Sequence, residues 1–399
     1  VHQTEATAPL TPVRFGQTGF MNGHESVRVV LCAPGFPAST DDFDKPFLFD
    51  HASALLGAGL QVTVVCPASP GLPVRQMIGG VEVHRVRYAP RRMETLATTG
   101  AMYREARGLK AILAVPMILS MLATTIRKLR QESTVAYGHW WIPGGLVAVL
   151  AARFTSRPSI VHLHGSDASI AEHPIMRKLA RLVLRLADER LAASEVLAKW
   201  GRDISTRDVR VLPMPLVFDR LPKPSPVPDE GFVLGVGRLV PEKGFDVLID
   251  ALACFDPDQR PELVVVGVGP DRRALAQRAL NAGVSLHLPG AVAPVELADW
   301  YRRSRIVAVP SRREGFGLVA AEAAAAGRAV VGSSVGGIPV VVESGVSGLL
   351  VEPGDVHSLA KALAEVDPSW GANGPERVAH LDVKSHGSCV RQLCDNLTR

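Results

Sequence analysis

The sequence predicts an α/β protein made of two doubly wound domains that face a central cleft. Continuously apolar segments such as Val27–Cys32 alternate with helical segments, which is typical of parallel strands that are buried on both faces. This alternation stops at a stretch with six prolines, residues 213–228, and then begins again. A linker between two similar domains explains both observations.

In the first half, a loop at residues 33–45 leads into a helix that ends near Gly57, and a basic amphipathic helix spans Arg177 to Asp188. The longest apolar run, Ala111–Thr125, is too short for a membrane span, which needs roughly 20 residues, so we expect a buried or amphipathic helix there. The predicted strands are Val27–Cys32, Gln61–Cys66, Val81–Arg87, Val135–Tyr137, Ser159–His164, Glu189–Ala193 and Val209–Pro213.

The same alternation resumes in the second half, with helices predicted at Phe245–Leu252, Val295–Ser304 and Leu318–Ala326. The predicted strands are Phe232–Val236, Glu262–Val266, Ser285–Leu288, Ile306–Val309, Ala329–Gly332 and Gly348–Val351. We therefore divide the chain into a flexible leader (1–26), a first domain (27–213), a linker (214–230) and a second domain (231–372). We expect residues 373–399 to form a helix that packs back on the first domain.

Composition narrows the class of protein. A chain of 399 residues with a net charge of +5 spread along its length argues only weakly for an anionic ligand or a membrane surface, and we expect no nucleic-acid partner. Residues 1–26 lack the basic start and apolar run of a signal peptide. Five cysteines without metal-ligand spacing indicate free thiols in a reducing compartment, so we expect a cytoplasmic protein, with the inner face of the membrane as the alternative location.

One turn, residues 311–317, lies between the strand Ile306–Val309 and the helix that begins at Leu318. Helix starts have unpaired N–H groups and partial positive charge, so they attract anions. Gly315 and Gly317 leave those N–H groups accessible. Glu314 and Glu322 can then meet the hydroxyls of a ligand in the same opening, although the helix dipole alone also favours acidic residues near a helix start.

The sequence patterns of dehydrogenases and of nucleotide-hydrolysing enzymes are absent from this chain. The dinucleotide fingerprint G-x-G-x-x-G fails after Gly235 and after Gly267, and no such pattern follows the first strand, so a dehydrogenase is disfavoured. The chain contains no GxxxxGK[ST] loop, which disfavours nucleotide hydrolysis.

The second domain resembles the family-4 retaining glycosyltransferases. The resemblance rests on motifs in the family's order and spacing: Gly237-Arg238 with Glu242-Lys243-Gly244, Gly267-Val268-Gly269-Pro270, Glu314-Gly315-Phe316-Gly317-Leu318 with Glu322, Gly336-Gly337-Ile338-Pro339 and Gly348-Leu349-Leu350-Val351. The first domain matches more loosely at residues 47–67, 139–145 and 164–167, and residues 36–37 and 85–90 resemble the exopolysaccharide and glycoconjugate branch. Residues 38–42 depart from the glycine pair of many members.

This resemblance implies two Rossmann-like domains in a glycosyltransferase-B fold, with a nucleotide-sugar bound in the cleft mainly by the second domain. It places Arg238 and Lys243 at the diphosphate, where they neutralise the leaving group, and Glu322 at the ribose. It also implies catalytic roles for Lys243, Arg238, Glu314, at the donor sugar, and His164, near the transferred sugar. The remaining donor-binding residues that it implies are Gly237, Gly267, Gly290, along the base, Gly315, Phe316, Gly317 and Leu318.

The acceptor side is expected on the first domain. His139 and Trp140 are predicted to line the acceptor pocket, although Trp140 and Trp141 are equally compatible with the core. Asp167 either accepts a hydrogen bond from the acceptor or caps the following helix. The basic segment 91–110 and the helix 177–190 either contact an anionic membrane with a lipid-linked acceptor or are simply solvated.

The resemblance further implies a retaining reaction without a protein nucleophile, in which a phosphate oxygen of the donor takes the acceptor proton. Asp42-Phe43-Asp44 spells a D-x-D motif, but it lies far in sequence from the phosphate residues, so we expect no metal ion and no cofactor. Domain closure would exclude water. The prediction is transfer of a hexosyl group, from a UDP-sugar in the favoured case, to a glycoconjugate, lipid-linked or small-molecule hydroxyl. GDP-mannose, a phosphorylase or epimerase, and a catalytically silent carbohydrate-binding protein are the alternatives.

Overall fold

The structure is a computed structural model that describes residues 27–40, 42, 45–96 and 112–399. The predicted leader, two residues of the motif at 42–44 and the basic residues between 97 and 110 lie outside these ranges. The described residues form two α/β domains, as predicted, each built on one largely parallel sheet.

The first domain contains an eight-stranded sheet in the order β3-β4-β2-β1-β5-β6-β7-β8. Only β3 runs antiparallel to its neighbour, β4. Residues on β1 alternate between two cores, since Val29 and Leu31 face one helical layer while Val30 and Cys32 face the other. The strands are β1 (Arg28–Cys32), β2 (Gln61–Pro67), β3 (Arg75–Ile78), β4 (Val81–Val86), β5 (Thr134–His139), β6 (Ser159–Leu163), β7 (Glu189–Ala192) and β8 (Arg210–Val211).

The second domain contains a six-stranded parallel sheet in the order β11-β10-β9-β12-β13-β14. In both sheets the first strand lies centrally and the chain winds outward from it in both directions, which defines a doubly wound fold. The strands are β9 (Val233–Val236), β10 (Leu263–Val266), β11 (Leu286–Gly290), β12 (Ile306–Val309), β13 (Ala329–Ser333) and β14 (Gly348–Val351).

Helices cover both faces of each sheet. In the first domain they are α1 (Pro46–Gly57), α2 (Ala114–Leu129), α3 (Leu146–Thr155), α4 (Ser166–Ile170), α5 (Pro174–Leu186) and α6 (Glu195–Ser205). The remaining helices are α7 (Phe245–Ala253), α8 (Arg272–Ala282), α9 (Pro294–Arg303), α10 (Leu318–Ala325), α11 (Ile338–Val341), α12 (Val356–Glu365), α13 (Gly374–Val378) and α14 (Val383–Thr398).

The long apolar run of the first domain forms an amphipathic helix, as predicted. Met117 and Met121 of α2 are buried, whereas Val115 and Leu119 are mostly exposed. Among the described helices, none combines the length and the apolar character that a membrane crossing needs. The predicted core cysteines Cys32 and Cys66 are fully buried, and all five cysteines of the chain are free thiols.

The C-terminal helix α14 lies against α1 of the first domain. Gly387 approaches α1 so closely that a Cβ atom there would lie 2.9 Å from the carbonyl carbon of Ala54. Arg391 donates hydrogen bonds to the carbonyl oxygens of Ala58 and Gly59 just beyond the end of α1. These contacts connect the end of the chain, after the second domain, to the first domain.

We expect Gly387→Ala to destabilise the protein, because the added methyl group would overlap the backbone of α1. Overpacking of this kind costs about 1–3 kcal/mol, which a denaturation midpoint followed by tryptophan fluorescence would detect. Gly57→Ala is the matched control, since a Cβ atom at Gly57 meets nothing within 4 Å. Equal midpoints for the two variants would contradict the close packing of α14.

Candidate active site

The candidate site lies where the carboxyl ends of the central strands of the two sheets face each other. In each sheet the direction of winding reverses beside the first strand, between β1 and β5 and between β9 and β12. Ligands of open α/β sheets bind in the crevice at such reversal points. The loops after β5, β6, β9 and β12 supply most of the predicted site residues.

Three of the predicted donor residues follow adjacent strands of the second domain. Gly237 comes after β9, Gly267 after β10, and Gly290 ends β11. Gly267 donates its N–H to the Gly290 carbonyl at 2.8 Å, and a Cβ atom at Gly267 would lie 2.8 Å from the Gly237 carbonyl carbon. All three have positive φ angles, so a larger side chain would strain these turns and narrow the crevice.

Lys243 and Glu314 form an ion pair in this crevice. The Lys243 ammonium lies 2.6 Å from Glu314 Oε2, and both side chains are only partly exposed. The pair joins two loops, because Lys243 precedes α7 and Glu314 follows β12. Arg312 fixes the same junction through two hydrogen bonds to Asp246, at 2.7 and 2.8 Å. The structure therefore brings Lys243 and Glu314 together in a direct contact that the sequence did not predict.

The turn before α10 has the glycines that its shape needs. Gly317 immediately precedes α10 with a φ of 94°. Gly336 packs against the turn, and a Cβ atom there would lie 2.8 Å from the Glu314 carbonyl carbon. Phe316 points into the core and is 5% exposed, whereas Leu318 is partly exposed. Of the donor residues predicted here, Phe316 can therefore offer its backbone but not its ring.

Glu322 lies one turn inside α10 and is mostly buried. It accepts a hydrogen bond of 2.7 Å from the hydroxyl of Tyr301, a fully buried residue of α9. Burial raises the pKa of Glu322 to about 7. A carboxylate that is held this close to neutrality gains from a ligand that donates hydrogen bonds to its ionised form.

Arg238 directly follows Gly237 and is exposed. It lies beside the glycine crevice. Arg238 therefore lies on the same loop as Gly237, after β9, and Lys243 lies a few residues further along the chain.

The two domains touch at the site itself. A Cβ atom at Gly165 would lie 2.9 Å from Gly315 Cα, so the loop after β6 packs directly on the turn after β12. Arg313 strengthens this contact by donating to Ser169 Oγ at 3.0 Å and by lying 3.5 Å from Glu172. At this point the backbones of the two domains are in direct contact, so the cleft is closed here.

His164 lies at that contact, on the first-domain side. Its ring packs beside Trp140, with centroids 4.8 Å apart, and beside Phe47, at 5.9 Å. Both His164 and Trp140 are partly exposed, as expected of residues that face a cleft. Trp141 instead is fully buried in the core, which was the alternative for both tryptophans.

The prediction that Asp167 contacts an acceptor is wrong for this structure. Asp167 is fully buried, and its carboxylate accepts backbone N–H groups of Trp141 at 2.8 Å and of His164 at 2.6 Å. Gly165 adds a third N–H at 3.3 Å. Asp167 therefore holds the loop after β5 to the loop after β6. It does not cap the following helix either, because it lies inside α4, which has no side-chain cap.

The prediction that His139 lines the acceptor pocket is also wrong, because His139 is 1% exposed. Its Nδ1 lies 2.8 Å from Nε2 of His164, so it contacts the cleft only through His164. Four further buried residues that sequence reasoning missed surround this pair: His51, Tyr137, His162 and His386. The H-x-H pattern of residues 162–164 was the one local signal for part of this cluster.

Within the described residues, His139, His162 and His164 lie close enough to hold a metal ion, with ligand atoms within 4.8 Å of one another. Both ring nitrogens of His162 are already engaged, however, with the Tyr137 hydroxyl at 2.8 Å and the Leu212 carbonyl at 2.8 Å. His139 and His164 are hydrogen-bonded to each other. A metal ion would have to replace these hydrogen bonds, so the arrangement fits a hydrogen-bonded cluster better.

Asp50 of α1 is another residue that the sequence did not indicate. It pairs with Arg220 of the linker at 2.6 Å, yet burial raises its pKa to about 6. The negative charge of Asp50 also contributes to the raised pKa of Glu322. The second domain offers the cations Arg238 and Lys243 for an anion, and the two domains together offer carboxyl groups for the hydroxyls of a polyol. The N–H of Gly315 is already donated to Glu314 Oε1 at 3.1 Å.

Comparison with known proteins identifies the family. The model for group 1 glycosyl transferases matches residues 218–367, and that for the glycosyl transferase 4-like domain matches residues 48–217. A D-inositol 3-phosphate glycosyltransferase of Catenulispora acidiphila is 30% identical over 355 residues, which cover 79% of this chain and 80% of that protein.

Solved structures share the fold. Sucrose-phosphate synthase from Thermosynechococcus elongatus superposes with a TM-score of 0.78 at 22% identity and covers 93% of this chain and 99% of its own. Anabaena HepE in complex with UDP-glucose gives a TM-score of 0.69 at 18% identity, covering 94% of this chain and 100% of its own. The chain therefore has the glycosyltransferase-B fold and belongs to the group 1 glycosyl transferases, with a 4-like first domain.

Proposed function

We propose that this glycosyltransferase moves a hexosyl group from a UDP-sugar to a hydroxyl of its acceptor, with retention of configuration and without a metal ion. The observation that carries the proposal is the crevice formed by Gly237, Gly267 and Gly290, with the Lys243–Glu314 pair beside it. A diphosphate fits such a crevice, because it needs close backbone approach and a nearby cation.

The leaving group is stabilised by charge. As the bond to the sugar breaks, negative charge develops on the diphosphate, and Lys243 and Arg238 neutralise it in our proposal. Preorganised donors contribute most when they need not move during the reaction. The bond between Lys243 and Glu314 supplies this preorganisation, since it holds the ammonium in the crevice before a ligand arrives. Glu314 then also faces the sugar hydroxyls.

The carboxylates of the site support a reaction without a protein nucleophile. Asp167 is buried and accepts hydrogen bonds from backbone N–H groups, Glu314 is paired with Lys243, and Glu322 accepts a hydrogen bond from Tyr301. Retaining glycosidases use a carboxylate beside the anomeric carbon, with a second carboxyl group about 5–5.5 Å away. Each of these three carboxylates is already engaged, so we assign the acceptor proton to a phosphate oxygen of the donor.

Two of the compared proteins favour particular substrates. HepE was solved with UDP-glucose, which supports UDP over GDP as the donor nucleotide. The curated relative from Catenulispora acidiphila is named for D-inositol 3-phosphate, which supports a small phosphorylated polyol as the acceptor. Within the acceptor classes predicted from the sequence, we therefore favour the small molecule.

We also propose that the protein contacts anionic membranes through the surface formed by α2 and β3. A shallow cavity of about 330 Å³ there is lined by Arg75, Arg87 and Arg127. Met77 and Leu119 are 64% and 57% exposed in the same elements. Exposed apolar side chains among cations suit a lipid surface with negative headgroups.

The basic helix predicted at 177–190 is less suited to a membrane. Arg181 and Arg185 donate to the carbonyl oxygens of Ile204 and Ser205 at the end of α6, and Arg190 donates to the Asp208 carbonyl. These arginines therefore stabilise a helix end and a neighbouring loop. Most of the other basic segment, 91–110, lies outside the described residues, so our candidate for membrane contact is the surface formed by α2 and β3.

Nucleotide binding tests the proposed donor site. In a thermal-shift panel of UDP, GDP, ADP and TDP, we expect UDP to give the largest stabilisation, unchanged by EDTA. Glu322→Gln should weaken UDP binding about tenfold or more, because a hydrogen bond to a charged group contributes about 1.5–3 kcal/mol. Glu365→Gln, at an exposed residue of α12, is the control and should bind normally. A shift for GDP alone would support the mannosyl donor, and no shift at all would contradict the proposal.

The pH dependence of binding follows from the raised pKa of Glu322. Because ribose hydroxyls donate to the ionised carboxylate, UDP affinity should fall as the pH drops below about 7, and Glu322→Gln should remove this dependence. Isothermal titration calorimetry across this range measures it. An affinity profile that is the same in both proteins would refute the role of Glu322.

The same pKa has a consequence for stability. Burial destabilises the ionised form of Glu322. The free energy of unfolding therefore falls as the pH rises from 4.5, the ordinary pKa of a glutamate, to about 7. Glu322→Gln should therefore be more stable than the natural protein above that range, by on the order of 1–3 kcal/mol.

Vesicle sedimentation tests the membrane surface. Binding to vesicles that contain phosphatidylglycerol should fall about tenfold or more in the double variant Leu119→Ser, Arg127→Ser, because an apolar and an electrostatic contribution are both lost. Leu182→Ser on α5, where Leu182 is 52% exposed, is the control and should bind normally. Equal binding to pure phosphatidylcholine, or loss in the control instead, would disprove the assignment.

A further inference from the structure

A buried tyrosine holds the carboxylate of Glu322 from the side of the core. The hydroxyl of Tyr301 lies 2.7 Å from Glu322 Oε2. Tyr301 is fully buried, whereas Glu322 is partly exposed, so Oε2 is held against the core. Within the described residues, no second side chain or backbone group donates to this carboxylate, which leaves Oε1 available to a ligand.

The direction of this hydrogen bond follows from the chemistry of the two groups. Burial, together with the nearby carboxylate, raises the pKa of Tyr301 well above its ordinary range, so the phenol keeps its proton. An ionised carboxylate has no proton to give and can only accept. Tyr301 therefore donates whenever Glu322 is ionised, and this hydrogen bond favours the ionised form.

The donor is fixed in place by a buried arginine that follows α10. Arg328 is fully buried and donates to the carbonyl oxygens of Tyr301 and Arg302, at 3.0 and 3.2 Å. The same guanidinium donates to the carbonyl and hydroxyl oxygens of Ser225 in the linker, at 3.1 and 2.6 Å. The end of α9 that carries Tyr301 is therefore attached both to the strand region after α10 and to the linker.

The helix that carries Glu322 is fixed as well. Its alanines on either side of Glu322 are buried, and α13 lies so close to α10 that a Cβ atom at Gly374 would lie 2.8 Å from Cα of Ala324. Donor and acceptor thus belong to tightly packed elements, so the carboxylate is oriented before a ligand arrives. Such preorganisation favours binding, because less conformational freedom is lost when the ligand is bound.

Three titratable groups from other elements act on Glu322. Burial is the largest cause of its raised pKa, and the hydrogen bond from Tyr301 opposes burial most strongly. The charge of Asp50 on α1 raises the pKa further, and the charge of Lys243 before α7 lowers it. Of these three groups, Tyr301 is the one that is hydrogen-bonded to the carboxylate.

We propose that Tyr301 is a positioning residue for nucleotide binding: its hydroxyl holds Oε2 of Glu322 against the core, so that Oε1 is presented to the ribose hydroxyls. The site then selects nucleotides that have these hydroxyls over nucleotides that lack them. This inference rests on the proposed donor site for the ribose contact, but the effect of Tyr301 on Glu322 is independent of any ligand.

NMR of the full chain labelled with ¹³C-glutamate tests that effect, with Glu322→Gln used to assign the carboxyl signal of Glu322. In Tyr301→Phe, we expect Glu322 to titrate at a higher pH than in the natural protein, because its ionised form loses the donor. Tyr88→Phe is the matched control, since Tyr88 is also buried and its hydroxyl accepts from Leu96 N at 3.1 Å. An unchanged titration in Tyr301→Phe, or an equal shift in the control, would overturn the proposal.

A second measurement keeps the hydroxyl at position 301. Protein made with 3-fluorotyrosine has more acidic phenols, which donate more strongly, so Glu322 should titrate at a lower pH than in the natural protein. In Tyr301→Phe, the same replacement of the remaining tyrosines should not move the titration. No shift in the otherwise natural chain, or a shift that persists in Tyr301→Phe, would overturn the proposal.

Binding measured by calorimetry provides the readout at the ribose. At pH 7, Tyr301→Phe should weaken UDP about threefold to tenfold, the range of one hydrogen bond, and should leave 2′,3′-dideoxy-UDP unchanged. The loss should be smaller at pH 9, where more of Glu322 is ionised in the variant. Equal losses for the two nucleotides would indicate a merely structural role and overturn the proposal. If UDP does not bind the natural protein, the proposed donor site fails together with the ribose contact, and the titration still decides whether Tyr301 holds Glu322.

Discussion

Parallel strands impose the constraint on which this site depends. All their carboxyl ends lie at one edge of a sheet, so the loops that leave them must meet there. In the second domain that edge brings together Gly237, Gly267 and Gly290 from three neighbouring strands. In the first domain it brings His139 of β5 next to His164 after β6. Because the two sheets present these edges to each other, residues that are distant in sequence share one cleft.

Burial of acidic groups is the second feature of the cleft. Glu322 and Asp50 both have pKa values raised by burial, to about 7 and about 6, although Asp50 is paired with Arg220. Ionised carboxylates in such places cost stability, and natural proteins retain that kind of cost where a ligand uses the group. Lys243 and Glu314 have a different arrangement, since each is the other's counter-ion before any ligand binds.

Apolar and glycine patterns made most of the fold predictable. The strands at 306–309 and 348–351 were predicted with their observed bounds, because buried parallel strands are continuously apolar. The edge strand β3 was missed, since Arg75–Ile78 is short and mostly exposed. The roles of His139 and Asp167 could not be predicted either, because they depend on what packs behind each loop. His386 reaches the histidine cluster from the far end of the chain, and no local pattern records that contact.

The backbone contact between Gly165 and Gly315 also limits how the domains can move. Because neither glycine has a side chain, the two turns are already in contact, and this contact sets the narrowest width of the cleft. A side chain at either position would overlap the opposite backbone and increase the separation of the domains. Since Lys243 and Glu314 belong to one domain and His164 to the other, this contact limits how closely His164 can approach that pair.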